Sequence, residues 1–417
     1  MKRPKPWWRS EGGANCASGS MGHSGDFAVM KIAASIMSNV ARYDPSDQPE
    51  LFAFRRSVFG EHSRQADIDG FDWLHRGYGP SPDRPPEVWI YKRKGVIVGQ
   101  QAAIPFGLKV ANRVVPAAWA VDLFVAPQHR LTGAGPALIT AQAAAKPVTV
   151  ALGASEAARK AYDALGWSPI GVVPNYVWPI RPERLLPLLP FHVPFKKTAG
   201  WIARQGGCLL DAVIRSRLYR SGTVLTRLDR FDGRLDALWT GVSPHYPILA
   251  MRDLAAVDWR FARESDSHRH KRYQMEKDGR ITGYAVMRID LWRGEPFALL
   301  IDYLAAPSDI PMLFAHCLQL ARDEGAIAFI AKTANAMADL KLRGMGFLRL
   351  SKPPFWPTVA YAHIAPAASA MAPFIAGLEN WFITMADSDI SLDPLAIRRQ
   401  HWVDSPQPAL EPTGLQA

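Results

Sequence analysis

From residue 88 onward, apolar and polar positions alternate in short runs broken by turn residues. Residues 88–91 (Val-Trp-Ile-Tyr) are followed by Lys92-Arg93-Lys94-Gly95 and then by the apolar stretch 96–104. Two β-branched and aromatic runs around a charged turn closed by glycine predict a β-hairpin. Residues 119–125 are apolar except for Asp122, which predicts a buried strand. An alanine-rich helix is predicted over about 134–145, a short strand over 148–152, a helix over about 156–165, and then a glycine turn into another strand. Strands alternating with helices in this order predict a mixed α/β sheet.

The pattern recurs in the second half of the chain. Asp72-Trp73 returns as Asp258-Trp259, and Gly95-Val96-Ile97-Val98-Gly99 as Gly279-Arg280-Ile281-Thr282-Gly283. Val121-Asp122-Leu123 matches Ile301-Asp302-Tyr303, and Leu165-Gly166-Trp167 matches Met345-Gly346-Phe347, both at an offset of 180 positions. An ordered set of matches, the last two at one offset, predicts two copies of a single unit. The expected organisation is a disordered tail over 1–29, a first domain over 30–180, a connector over 181–223, a second domain over 224–390 and a flexible tail over 391–417. The first residues read as a disordered tail, or as an upstream extension if the true start is Met21 or Met30.

With 417 residues, two or three domains are expected. Hydrophobic residues make up 48% and charged residues 21%, the balance of an ordinary folded protein. The net charge of +11 favours an anionic partner, without choosing among a polyphosphate, nucleic acid and an acidic membrane surface. Cys16, Cys208 and Cys317 lie far apart, which argues against a disulfide framework or a metal site and for a reduced, cytoplasmic setting. The most apolar stretch, 362–378, is interrupted by His363, Pro366 and Pro373, so no transmembrane helix is expected. The connector opens proline-rich and continues with Trp201, Leu209, Leu210 and Ile214 among Arg204, Arg215 and Arg220. This suits an amphipathic helix packed on the domains, or a peripheral contact with a membrane surface.

The segment carrying chemistry is Val125-Ala126-Pro127-Gln128-His129-Arg130-Leu131-Thr132-Gly133-Ala134-Gly135, between the predicted strand and helix. Backbone N–H groups at a helix start, together with the helix dipole, attract a pyrophosphate. Gly133 and Gly135 let the backbone approach the anion closely, and Arg130 adds charge. Arg130-x-x-Gly133-x-Gly135 after Val125-x-Pro127 resembles the acyl-CoA loop of the GNAT (N-acetyltransferase) superfamily. Downstream, Ala158, Tyr162, and Gly166-Trp167 resemble that family's second signature, with Trp where Phe is usual.

The resemblance implies α/β (α+β) architecture, with two tandem GNAT-like domains, each a mixed, mostly antiparallel sheet flanked by helices. It also implies direct attack of an amine or hydroxyl on acetyl-CoA or another acyl-CoA, with Val125, Arg130, Leu131, Thr132, Gly133, Ala134, Gly135 and Ser155 holding the cofactor. Tyr162 takes the position of the acid that protonates the departing thiolate. Asp122 stands either as general base or as a structural group shared with Asp302. In the second copy the 180-residue offset places Ile310, Leu313 and Ala315 at the positions of Arg130, Gly133 and Gly135, and Leu342 at that of Tyr162. That copy is expected to keep the fold without the cofactor site.

The leading expectation is an acyltransferase with an unidentified acceptor. Alternatives are an aminoacyl-tRNA-dependent enzyme or a polysaccharide- or lipid-assembly acyltransferase of related tandem fold, and a non-catalytic CoA-binding module. No basic-aromatic motif for nucleic acid stands out.

Overall fold

The computed structural model describes residues 34–79, 84–188, 212, 214, 216, 218, 220–263, 269–350 and 358–393. Most of the expected connector and nearly all of both tails lie outside these residues. Among the described residues, sixteen strands form two sheets. In chain order they are β1 (Val40–Arg42), β2 (Val88–Arg93), β3 (Val96–Val110), β4 (Arg113–Val125), β5 (Val148–Leu152), β6 (Ser168–Val173), β7 (Asn175–Pro179) and β8 (Thr223–Leu228). They continue as β9 (Ile248–Ala250), β10 (Lys271–Lys277), β11 (Arg280–Trp292), β12 (Glu295–Ala305), β13 (Ala328–Lys332), β14 (Leu348–Leu350), β15 (Thr358–Ile364) and β16 (Trp381–Phe382).

The first sheet runs β1-β2-β3-β4-β5-β15-β6, with β9 and β16 attached at the far end of β3. The second runs β8-β10-β11-β12-β13-β7-β14, the same order with the repeats exchanged at one place. Pairing in both paths is antiparallel except for β4 with β5 and β12 with β13. The predicted hairpin is β2-β3, closed by Lys94 and Gly95 with φ of 50° and 80°. Asp278 and Gly279 repeat this left-handed pair at 50° and 75° between β10 and β11. Two successive positive φ values give a turn whose twist matches the strands it joins.

Each sheet takes one strand from the other repeat: β7 pairs with β13 and β14, while β15 pairs with β5 and β6. The reason is local. Only Pro174 separates β6 from β7, and reversing the chain into a hairpin takes at least two turn residues. The strand therefore runs on into the neighbouring sheet, so neither sheet is built from one continuous segment of chain.

Helices cover both faces of the first sheet: α1 (Gln48–Phe59) and α2 (Ile68–Arg76) on one side, α3 (Ala134–Ala143) and α4 (Glu156–Ala164) on the other. Period-two alternation along β4 sorts them, since Trp119 packs with Leu51, Phe52 and Phe71, while Ala118 and Ala120 pack under α3 and α4. The second sheet buries α5 (Arg234–Val242), α6 (Leu254–Phe261), α7 (Ile310–Asp323) and α8 (Ala336–Gly344) in one continuous core. Side-chain caps start α2, α4, α6 and α8 at Asp67, Ser155, Asp253 and Asn335, each accepting from a backbone N–H in the first turn. Trp73 of α2 and its repeat partner Trp259 of α6 stack on one another, centroids 5.2 Å apart. Among the described residues no helix is long and apolar enough to cross a membrane.

Candidate functional site

Strands β4 and β5 run side by side only from Ala117↔Val148 to Ala120↔Ala151. Two residues beyond the last pair, the register with β3 slips at Asp122, where the backbone is left-handed with φ of 51°. An extra residue in one strand bends it and re-aims the residues beyond the bulge. The rest of β4, through Val125, keeps its pairing with β3 but has no β5 partner, and residues 122–125 are half-buried. The result is a V-shaped opening in the sheet, with one side an exposed strand edge rich in backbone N–H and C=O groups.

The loop 126–133 leads from that edge into α3. Gly133 is the residue before the helix, with φ of 84°, and Leu131 is also left-handed at 68°. Among the described residues the N–H groups of Leu131, Thr132, Gly133, Ala134 and Gly135 reach no protein acceptor. Orphan donors at a helix N-terminus attract anions through both their protons and the dipole behind them. The Thr132 hydroxyl donates to the His129 carbonyl at 2.7 Å, and Arg130 Nε donates to the Val125 carbonyl at 3.3 Å. The Arg130 guanidinium lies 5.6 Å over the Phe124 ring. These contacts shape the loop while leaving its backbone donors free. Ser155 caps α4 on the β5 side of the opening, its Oγ accepting from Ala158 N–H at 3.2 Å.

Tyr162 lies at the apex of the V, in a cluster with Ala120 and Ala151, the last pair before the strands part. It stacks on Trp167 with centroids 4.4 Å apart and packs against Tyr361 of the exchanged strand at 5.7 Å. Its hydroxyl makes no hydrogen bond among the described residues, and burial pushes its pKa above the ordinary value of 10.0. The phenol therefore keeps its proton through the neutral range.

Asp122 projects to the other face of the sheet, its side chain 3% exposed. Arg55 Nη2 lies 3.3 Å from one carboxylate oxygen, while Arg64 Nη2 at 3.5 Å and Gln65 Nε2 at 3.2 Å approach the other. Burial alone would raise the carboxyl pKa, but Arg64 and Arg55 outweigh it and bring it to about 2. Gln100 donates to the Asp122 carbonyl at 3.1 Å and Gln101 to that of Val121 at 2.8 Å, so the bulge is pinned from both side chain and backbone. Nothing in the sequence links these residues, since Arg55, Arg64, Gln65 and Gln100 lie far from Asp122 in the chain and share no spacing with it.

The second repeat has the same opening, but it is filled. Pairing of β12 with β13 ends at Leu300↔Ala331. Beyond it, Ala386 N–H donates to the Ile301 carbonyl at 2.9 Å, and Ile383 bridges to Ala334. Asp302 is buried under Arg252 (3.1 Å), the Thr384 hydroxyl (2.7 Å) and the Tyr284 hydroxyl (2.6 Å). The loop also differs in length: residues 306–309 alone join β12 to α7, and Asp309 precedes the helix where Gly133 does in the first repeat. The expected match of Leu313 to Gly133 is thus corrected. Leu313 lies inside α7, and the second repeat lacks the loop altogether rather than carrying an obstructed version of it.

Two sheets of this strand order, each splayed at one parallel pair with a helix start facing the splay, form a pair of related folds, of which one opening is unfilled among the described residues. Residues 39–170 match the acetyltransferase (GNAT) domain family, so the first repeat of the chain is a GNAT domain. Two solved structures share the fold over most of the chain. A GCN5-related N-acetyltransferase from Anabaena variabilis is 14% identical with a TM-score of 0.53, covering 79% of this chain and 73% of its own. A probable N-acyltransferase from Enterococcus faecalis is 14% identical with a TM-score of 0.50, covering 78% and 72%. No curated protein matches the chain significantly in sequence.

Proposed function

We propose that the protein is an acyltransferase that takes an acyl group from acyl-CoA in the first repeat and passes it to an amine or hydroxyl acceptor. The observation that carries this reading is the set of N–H groups from Leu131 to Gly135 at the start of α3, unengaged among the described residues and set beside the open edge of β4. The pyrophosphate would sit on those donors with Arg130 alongside, and the amide-bearing arm would pair with the edge near Val125 so that the thioester points to the apex.

At the apex the acceptor's nitrogen or oxygen attacks the thioester carbon, the carbon–sulfur bond breaks, and the departing thiolate takes the proton of Tyr162; the proton that the acceptor loses passes to solvent, from which Tyr162 is reprotonated. That hydroxyl is protonated, unengaged among the described residues and on the wall of the opening, as this role requires. Asp122 is a poor base: it is held ionised near pKa 2 with both oxygens occupied, and its task in this reading is to hold the bulge that opens the cleft.

Titrating the protein with acetyl-CoA and longer acyl-CoAs by calorimetry, then following CoA release with a panel of amines and alcohols, tests the proposal. Absence of binding by every acyl-CoA would remove it.

A further inference from the structure

We propose that Arg64 is a positioning residue that couples the C-terminal segment 384–393 to the donor cleft through the bulge at Asp122. This rests on the reading of that cleft as the acyl-CoA site. Arg64 sits in the short turn Arg64–Ala66 between α1 and α2 and faces three carboxylates. Its Nη2 is 2.8 Å from Asp389 and 3.5 Å from Asp122, and its Nε is 3.4 Å from Asp393.

The C-terminal segment is in turn fixed to the second repeat. Asp387 pairs with Arg252 at 2.7 Å, the Ser388 carbonyl accepts from Arg260 at 2.7 Å, and the Ser391 carbonyl accepts from Arg288 at 2.5 Å. The same segment carries Ala386, which closes the second opening at Ile301. One strip of chain therefore plugs the second cleft and, through Arg64, reaches the residue whose left-handed backbone opens the first.

Asp122 needs such support. A left-handed aspartate within a strand is a strained conformation that persists only where its surroundings determine it. A buried carboxylate likewise stays in place only while its cationic partners do. Arg55 supplies one partner from within the first domain, and Arg64 supplies the other only while Asp389 and Asp393 orient it. Among the described residues, none of 384–393 joins the apolar clusters under α3 and α4. Ile390 and Leu392 do pack against the core on the opposite face, with Trp119 and Val121, so the test changes only charges and leaves that packing in place.

The test compares the full-length protein with Arg64→Met, Arg64→Lys and the isosteric double variant Asp389→Asn/Asp393→Asn. Acetyl-CoA affinity is measured by calorimetry, KM and kcat by CoA release, and folding by thermal melting. Coupling through a network of this kind typically changes affinity by roughly 2- to 30-fold. We expect Arg64→Met and the double variant to raise Kd and KM for acetyl-CoA in that range, with kcat at saturating donor largely kept. Arg64→Lys should recover part of the loss. The double variant decides the matter should Arg64→Met fail to melt cooperatively. Folded variants that bind acetyl-CoA like the parent would overturn the proposal, whereas a parent protein that binds no acyl-CoA would instead overturn the functional reading beneath it.

Discussion

Ala386 donates its backbone N–H to the carbonyl of Ile301 at 2.9 Å, occupying in the second repeat the strand edge that stays open beyond Ala120 in the first. The helix start there faces an anion with the carboxylate of Asp309, which would repel phosphate, and the loop that could wrap it is missing. Only the first repeat should therefore bind. Calorimetric titration of the full chain is expected to give one equivalent of acyl-CoA. Two equivalents would show that the 381–387 plug is displaced by the ligand.

Gly135 offers the cleanest test of the loop. A Cβ built there meets only Val125 Cγ2, at 3.9 Å, and the backbone is not left-handed, so the fold has room for a side chain. The bulk of a leucine beside the free N–H groups is expected to crowd an anion bound on them. Gly135→Leu is expected to abolish acetyl-CoA binding with little change in Tm. Gly133→Leu should lose binding too, but also roughly 1–2 kcal/mol of stability, because a left-handed backbone disfavours side chains and its Cβ would meet Ile36 at 2.9 Å. Normal affinity in a folded Gly135→Leu protein would place the phosphates elsewhere.

Much of this architecture is legible in the sequence because it depends on short-range rules. The Lys94-Gly95 and Asp278-Gly279 turns, the apolar run of β4 and the repeat of Ser155 as Asn335 before a helix are all local signals. The exchange of β7 and β15 is not legible, because alternation tells which face of a strand is buried and never which sheet receives it. Pro174 is the one hint. A rigid offset of 180 also hides the shorter second loop: α7 begins earlier relative to β12 than α3 does to β4, but it has 14 residues against 10, so the offset is restored by the next strand. The Arg64–Asp122–Asp389 cluster joins residues far apart in the chain, and no periodicity reports such contacts.

Two buried histidines predict how stability responds to acid. Burial, with Arg55 beside His75 and with Arg288 and Arg260 near His270, lowers each pKa from 6.5 to about 3. Between those values the unfolded chain takes up protons that the folded protein refuses, so stability falls as pH drops from about 6.5 towards 3. Each histidine contributes on the order of a few kcal/mol at the lower end. His270 separates this effect from the cleft: both its ring nitrogens are buried without partners among the described residues, and it packs edge-on against Phe261. His270→Leu should hold or raise Tm at pH 7 and flatten the loss between pH 6 and 4. An unchanged pH profile would mean that His270 charges readily in the folded protein.

Tyr162→Phe tests the chemistry most directly. The ring is held by Trp167 and Tyr361, and the substitution keeps that packing. Since the hydroxyl has no hydrogen-bond partner among the described residues, its removal leaves no acceptor unsatisfied, and Tm should stay within a degree or two of the parent, about what a change of a few tenths of a kcal/mol produces. Acyl-CoA affinity should also survive, because the loop and the edge of β4 are untouched. Only the proton for the departing thiolate is lost, and general acids of this kind contribute about 10²–10⁴-fold. We expect kcat to fall by that factor with Kd for acetyl-CoA unchanged. With burial holding the phenol pKa above 10.0, loss of the Tyr162 proton should not impose an alkaline limb on the parent kcat below about pH 10. A variant with near-normal kcat at saturating donor would return Tyr162 to a packing role and leave the thiolate to be protonated by solvent or by the acceptor itself.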